Sequence, residues 1–441
     1  MSRTLTLHVG YALILLLGAL FVGLLAALAY LFPDLGAQLP FVQLRPMHVS
    51  AALFWIITGA TAGVLHYKRE VFAQPREPFA ERAFVLLWVA TTVSVFIFYA
   101  FRRFGGREYW EFPPLLGIPI ALAWILLLVS YLRSWTRRPR PAPLYVWMWT
   151  TGVVFFMLTF LEQNLYHIPW FRQSFLREIT VQWKSNGAMV GAWNQMIYGT
   201  ALYLMVRISG DEGIARGRKV FLFWFLGLSN LMFNWGHHIY NAPTAGWIRH
   251  VAYGISMAEW IFFLDIIRGF KAKLAEKRKY DHLLTYRFLV ASELWVFLNL
   301  VLALFMSIPA VNRYTHGTHI TVAHAMGTTI GINTMILLGS FSWLLRMDQQ
   351  GDRVVRQARL GARMALIGLP MLWFSLIAAG VLKGYRSVAL GMTDHQELME
   401  PVDQVLLVFL AGGVVVLAGL GTIAITYLGV LLRGARSRGI S

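Results

Sequence analysis

A chain of 441 residues that is 57% hydrophobic and only 14% charged has too little charged surface for a water-soluble globule of its size. It contains no cysteine, which excludes disulfides, thiolate metal sites, iron–sulfur clusters and covalently attached c-type haem. A formal charge of +18 could suit nucleic acid, but here it sits in short segments between long apolar stretches, which argues against that partner.

Twelve hydrophobic spans are predicted, each long enough to cross about 30 Å of hydrocarbon as a helix. The first, 8–32, follows a single basic residue and runs into "YLFPDLG" without an A-x-A cleavage pattern, so it reads as a retained helix rather than a signal peptide. The second, 42–66, opens on "RPMHVSAALFW" and carries Arg45 and His48. Spans 82–101, 113–132 and 143–163 follow. The sixth, 181–206, contains "KSNGAMVGAWNQM", with Lys184, Asn186, Asn194 and Gln195. The seventh, 219–240, holds Asn230 and Asn234 and ends at the adjacent pair His237 and His238. The eighth, 248–267, bears Glu259 and Asp265, and the ninth, 286–308, bears Glu293 and Asn299. The tenth, 318–345, lies in "THGTHITVAHAMGTTIGIN", with His316, His319, His324 and Asn333. Spans 362–382 and 403–431 complete the set.

Most of the 39 Lys and Arg fall in the segments that a cytoplasmic N-terminus would leave on the cytoplasmic side, with "RGFKAKLAEKRKYDHLLTYR" the densest and "RSWTRRPRP" similar. This positive-inside bias predicts both termini in the cytoplasm and contact with anionic lipid. Loops of about twenty residues leave no room for a soluble domain, and no internal repeat is visible. The expectation is one all-α, twelve-helix transmembrane domain over 1–441, in the cytoplasmic membrane of a bacterium or archaeon.

Only helices can span here, so function is sought where ionisable groups face the bundle interior. His8, His66, His167, His250, His282 and His395 lie at span boundaries or in loops and are left aside. Asn194, Asn299 and Asn333 read by default as links between neighbouring helices. His48, His237, His238 and His324 lie on three different helices, and together they outweigh the bland reading of each alone. Adjacent residues project about 100° apart on a helix, so His237 and His238 share a metal only if the helix end frays, which Pro243 favours. Neutral imidazole suits haem iron, non-haem iron and copper.

"NWGHHIYNAPTAGW", "VNRYTHGTHITVAHAMG", "RPMHVSAALFW" and "GREYWEFP" resemble the catalytic subunit of the cytochrome c-dependent nitric oxide reductase family and, more distantly, the C-type haem–copper oxidases. The similarity extends over essentially the whole chain. It implies a low-spin haem b on His48, with Arg45 near a propionate, and a high-spin haem b on His324. It also implies a non-haem metal, iron rather than copper, on His237 and His238. Glu108 matches a carboxylate that helps hold a calcium ion bridging haem propionates, with Glu111 close by, and Glu259 matches an acidic residue near the metal site.

Departures from the family pattern qualify this reading. Where the family has His-Gly-His on the tenth helix, this chain has "HAM". Met326 is either the second low-spin haem ligand, about 200° around the helix from His324, or a soft filler that leaves that haem five-coordinate or missing. The family's first metal-ligand His falls at Asn186 and its metal-ligating Glu at Val190, so an amide replaces an imidazole, the site should bind metal less tightly than three imidazoles would, and Glu259 and Gln195 are the candidates to complete the sphere. The active-site Tyr of oxygen reductases falls at Val190 or Leu231, which disfavours dioxygen reduction. The resemblance therefore implies reduction of nitric oxide to nitrous oxide with electrons from a periplasmic cytochrome c subunit. Two alternatives remain: a nitric oxide dismutase, suggested by the His-to-Asn exchange at Asn186, and a non-catalytic haem subunit for electron transfer.

Overall fold

In the computed structural model, which describes residues 1–74 and 76–436, the apolar spans form helices whose ends fall where charge, Pro or Gly interrupts the hydrophobic run. The main helices are α1 (Arg3–Leu31), α2 (Phe41–Val71), α3 (Phe79–Ala100), α4 (Gly117–Ser134), α5 (Leu144–Gln163), α6 (Phe175–Ser209) and α7 (Arg218–Phe233). They continue with α8 (Gly246–Lys273), α9 (Leu283–Ser307), α10 (His319–Leu344), α11 (Asp352–Gly384) and α12 (His395–Arg436). Helix α10 is α-helical to Met326, π-helical over Gly327–Thr334, then α-helical again. There is no strand among the described residues.

Among the described residues, ten stretches are long and apolar enough to cross a membrane, two fewer than expected from sequence. The two exceptions are α6 and α7. Helix α6 has 35 residues, but Arg, Glu, Lys, Asn and Gln dilute its hydropathy. Helix α7 ends at Phe233 after 16 residues, about 24 Å of rise, where the chain tightens into a 3₁₀ turn over Asn234–His237.

The described chain divides into two compact units, one made of Met1–Tyr11 and Ile56–Tyr286, the other of Ala12–Trp55 and Arg287 onward. In the first unit, helix α4 shows how the sequence allocates its faces. Ile118, Leu122, Ile125, Val129 and Leu132 recur at helical spacing and are exposed, whereas Ile120, Trp124, Leu127 and Tyr131 are buried. An exposed apolar stripe of that kind suits hydrocarbon. Tryptophan indoles and threonine hydroxyls tie neighbouring helices together: Trp88 donates to Thr58 at 2.9 Å and Trp149 to Thr200 at 3.2 Å. His8 is fully buried, with Nε2 2.9 Å from Thr61 Oγ1. Lys68 and Glu81, both fully buried, form an ion pair that Arg69 joins at 2.9 Å and Ser130 at 3.2 Å.

The second unit is anchored by the antiparallel pair α11 and α12, whose backbones touch at glycines. A Cβ on Gly361 would lie 2.6 Å from the Gly419 carbonyl oxygen, and one on Gly368 would lie 3.0 Å from that of Gly412. Lipid offers no hydrophobic drive for helix association, so close packing through small residues must supply it. Gly419→Val should therefore push α12 off α11 and cost about 1–3 kcal/mol. Gly429→Val, on the same helix with nothing within 4 Å, should be neutral. Thermal unfolding in detergent separates the two; equal midpoints would show that the glycine contact does not hold the pair.

Candidate functional site

The histidine pair lies in the first unit, where the helix has already ended. His237 closes the 3₁₀ turn and His238 follows it, so neither is held to α-helical projection. Their ring centroids lie 4.3 Å apart with planes tilted by 36°. His238 stacks on Trp183 of α6 at 5.3 Å, and His237 packs on Tyr253 of α8 at 5.2 Å. Two aromatic neighbours from two helices thus fix the two rings side by side, as a shared ligand requires.

Helix α6 brings Asn186 to the same level. It lies three residues after Trp183, hence on the same face, and its neighbour Gly187 is bonded through its carbonyl to Asn234 Nδ2 at 3.1 Å. A side chain at Gly187 would press on Asn234 and Trp235, so the glycine sets how closely α6 approaches the turn that carries the histidines. Asn186 is buried; its Nδ2 reaches the Glu108 backbone carbonyl at 3.4 Å, while its Oδ1 has no hydrogen-bond partner among the described residues. Glu108 sits in the α3–α4 connection, which is pinned to α6 by an ion pair between Arg107 and Glu178. The resemblance groups Asn186 with His237 and His238 at one metal site and gives Glu108 to a calcium site. The fold gathers Asn186 with Glu108, and packs Asn186's neighbour against the turn bearing the histidines. Among the described residues, no group of three His, Asp or Glu side chains forms a metal-holding cluster.

Glu259 is placed elsewhere in this unit. It follows Tyr253, the packing partner of His237, by six residues along α8, about 9 Å of helix axis. Its carboxylate accepts a hydrogen bond from Asn230 Nδ2, and Asn230 Oδ1 accepts one from Ser256 at 2.7 Å. Gln195 is also at this deeper level. The partners that orient Glu259 are Asn230 and, through it, Ser256, rather than the packing neighbours Trp183 and Tyr253 of the histidine pair.

In the second unit, His48 is oriented by helix α1. Its Nδ1 lies 2.8 Å from the Ala19 carbonyl oxygen, which can only accept. Nδ1 therefore carries the hydrogen, and Nε2 keeps its lone pair for a ligand. Gly23 makes room for this ring: a Cβ there would lie 2.6 Å from His48 Nδ1 and 2.7 Å from Cε1. Arg45 is one turn earlier on the same helix and half-buried.

His324 sits three residues before the π-helical stretch, where the regular ladder of amide bonds changes register. Its carbonyl accepts from the Gly327 backbone N–H and also from two side chains, Asn299 Nδ2 at 3.2 Å and Thr328 Oγ1 at 3.1 Å. Gly327 lets Asn299 reach in, since a side chain there would overlap its amide. Met326 is half-buried at the last α-helical position and lies about 200° around from His324, as the spacing predicts.

These surroundings fit haem at both histidines: His48 has a fixed tautomer and a cleared space, and the backbone of His324 is braced by a second helix. The pair at His237 and His238 offers two imidazoles beside an amide, a weaker set than three imidazoles. Sequence reasoning missed Ala19 and Gly23 altogether and gave Asn299 only a general structural role. Small residues and a backbone carbonyl carry no chemical signature in a sequence, so only the packing reveals them.

The model of cytochrome c and quinol oxidase polypeptide I matches residues 3–415. A nitric oxide reductase subunit of Stutzerimonas stutzeri is 22% identical over 430 residues, 90% of this chain and 88% of that protein. Cytochrome c oxidase subunit 1 of Rhodobacter capsulatus is 22% identical over 388 residues, 82% of this chain and 72% of its own. A solved haem–copper terminal oxidase dimer shares the fold, with a TM-score of 0.76 at 14% identity over 98% of this chain and 85% of that one. Imidazoles braced at membrane depth, apolar helices and a match across nearly the whole chain lead to one conclusion: this protein belongs to the cytochrome c and quinol oxidase polypeptide I family, the haem–copper oxidases.

Proposed function

We propose that the chain is the catalytic subunit of a nitric oxide reductase, joining two nitric oxide molecules with two electrons and two protons to give nitrous oxide and water. The observation that carries this choice within the family is Leu231. It occupies a position where oxygen reductases would carry their active-site Tyr, and it is buried against the bare face of Gly191, so no hydroxyl stands there. The other such position is Val190. Similarity to the nitric oxide reductase of Stutzerimonas stutzeri over 90% of the chain supports the same reading.

In this proposal His48 and Met326 hold the low-spin haem b, with Arg45 at a propionate, and His324 holds the high-spin haem b. His237, His238 and Asn186 hold a non-haem metal, iron rather than copper, and Glu108 contributes to a calcium site. When bound, these groups supply electron transfer and Lewis-acid stabilisation of developing negative charge. The chain's own work is to fix imidazole orientation, exclude bulk water with apolar helices and keep a carboxyl, Glu259, at membrane depth. Trp55, seven residues past His48, donates to Thr334, eight residues past Met326, at 2.9 Å. If the second and tenth crossings run the same way, His48 and Met326 both lie about 10 Å ahead of that bond, which supports Met326 as a ligand.

Helices α6 and α7 complete twelve crossings in this proposal, with both termini cytoplasmic, anionic lipid around the basic loops and a periplasmic cytochrome c subunit as donor. Asn186, in place of a third imidazole, favours a second reading as a nitric oxide dismutase.

Purified protein settles the choice by its Soret spectrum, haem and metal content per chain, and anaerobic turnover of nitric oxide. Nitrous oxide is expected. Oxygen evolution would select the dismutase, haem without non-haem metal or turnover would leave an electron carrier, and a colourless protein would end the proposal. Met326→His should convert the low-spin signal to the bis-histidine form and lower its midpoint potential; an unchanged spectrum would remove Met326 from the ligand set. Gly23→Ala should displace the His48 ring and weaken low-spin haem binding about 10–100-fold while the high-spin signal persists. Gly18→Ala, with nothing within 4 Å, is the control, and equal low-spin occupancy in both variants would refute the positioning role of Gly23.

A further inference from the structure

Gln195 is fully buried on α6, and neither its Nε2 nor its Oε1 finds a partner among the described residues. An amide can take part in four hydrogen bonds, and a buried one that makes none bears its whole desolvation cost. At this depth no bulk water is available. Buried polar atoms in such positions are met either by protein or by internal water.

The surroundings of Gln195 point to the second. Glu259, itself 2% exposed, uses its Oε2 to accept from Asn230, and Ser256 closes the far side of that amide. Its Oε1 is turned toward Gly227 of α7: a Cβ on that glycine would lie 2.8 Å from Glu259 Oε1 and would overlap Gln195 Nε2. The carboxylate oxygen and the amide therefore converge on one bare patch of helix without bonding to each other. An amide donor and a carboxylate oxygen facing one spot supply two of the two to four partners that an internal water needs.

We propose that Gln195 and Glu259 together bind a water molecule against Gly227, and that through it the Glu259 carboxyl exchanges its proton. The site stands on geometry within the first unit and holds whatever cofactors the chain carries. Gly227 matters because any larger residue would take the amide's place, and Gln195 matters because it offers both a donor and an acceptor.

The whole protein, reconstituted in detergent or lipid, provides the test. A structure at a resolution that shows waters should place density within hydrogen-bond distance of both Gln195 Nε2 and Glu259 Oε1. Gln195→Leu, close in size and unable to hydrogen-bond, should lose that density while keeping the Asn230–Glu259 bond. In infrared spectra the Glu259 band, assigned by its loss in Glu259→Gln, should shift in Gln195→Leu, and its exchange into deuterium oxide should slow. Should Gln195→Leu fail to fold, Gly227→Ala presses a methyl into the same space and should give the same shift. Direct bonding of the Gln195 amide to a protein group, or a Glu259 band and exchange rate unchanged in either variant, would overturn the proposal.

Discussion

A polar side chain inside hydrocarbon has no bulk water to fall back on, and the chain itself must provide its partner. That constraint organises the candidate site. His48 turns its Nδ1 to the carbonyl of Ala19, an oxygen already inside helix α1, whose second lone pair is free to accept. The bond satisfies one nitrogen and thereby dictates that the other is presented outward. At His324 the constraint acts on the backbone, where the helix passes into its π-helical stretch and Asn299 and Thr328 join the Gly327 amide at the carbonyl. Lys68 and Glu81 meet the same demand with charge, each fully buried and each compensated by the other. A histidine whose ring is already fixed pays little to accept a ligand, which is what an imidazole for haem needs.

Small residues decide where these partners can meet. Gly23 admits the His48 ring, Gly187 lets α6 close on the turn before the histidine pair, Gly227 seats the Gln195 amide and Gly327 admits Asn299. In each case the side chain that fills the space is polar, and the glycine lies on a different helix or turn from it. Glycine at these points is therefore a means of docking function onto a helix surface, as well as a means of packing helices as in α11 and α12.

The all-helical architecture was legible in the sequence because a run of about twenty apolar residues has few alternatives. Helices α6 and α7 were less so: the polar groups that make α6 interesting are what lower its hydropathy, and α7 stops early to make the turn that His237 needs. The histidines were legible as residue types. Their arrangement was not, since the 3₁₀ turn and the flanking Trp183 and Tyr253 depend on contacts far apart in sequence. Glu259 was legible as an acid at membrane depth, but its partners come from α7 and from one turn before it on α8, and its nearness to the metal site rested on resemblance alone. The sequence could weigh Gln195 only as a possible ligand, whereas packing puts it with the carboxyl.

The first unit thus holds two polar layers rather than one. The upper contains Asn186, Asn234 and the histidine pair; the lower contains Gln195, Asn230, Ser256 and Glu259. On α6 the nine residues from Asn186 to Gln195 span about 13 Å of helix, and on α8 the six from Tyr253 to Glu259 span about 9 Å. Between the layers Leu231 packs against Gly191, with a would-be Cβ 2.8 Å from the leucine methyl. That apolar contact separates groups with different requirements. For the metal site proposed at the pair, imidazoles must stay in one tautomer and one place, which the packed aromatic neighbours Trp183 and Tyr253 favour. A carboxyl that exchanges a proton needs a mobile partner, which internal water supplies and a rigid aromatic cage does not. Placing them about two turns apart on the same helices lets each have its own surroundings within one fold.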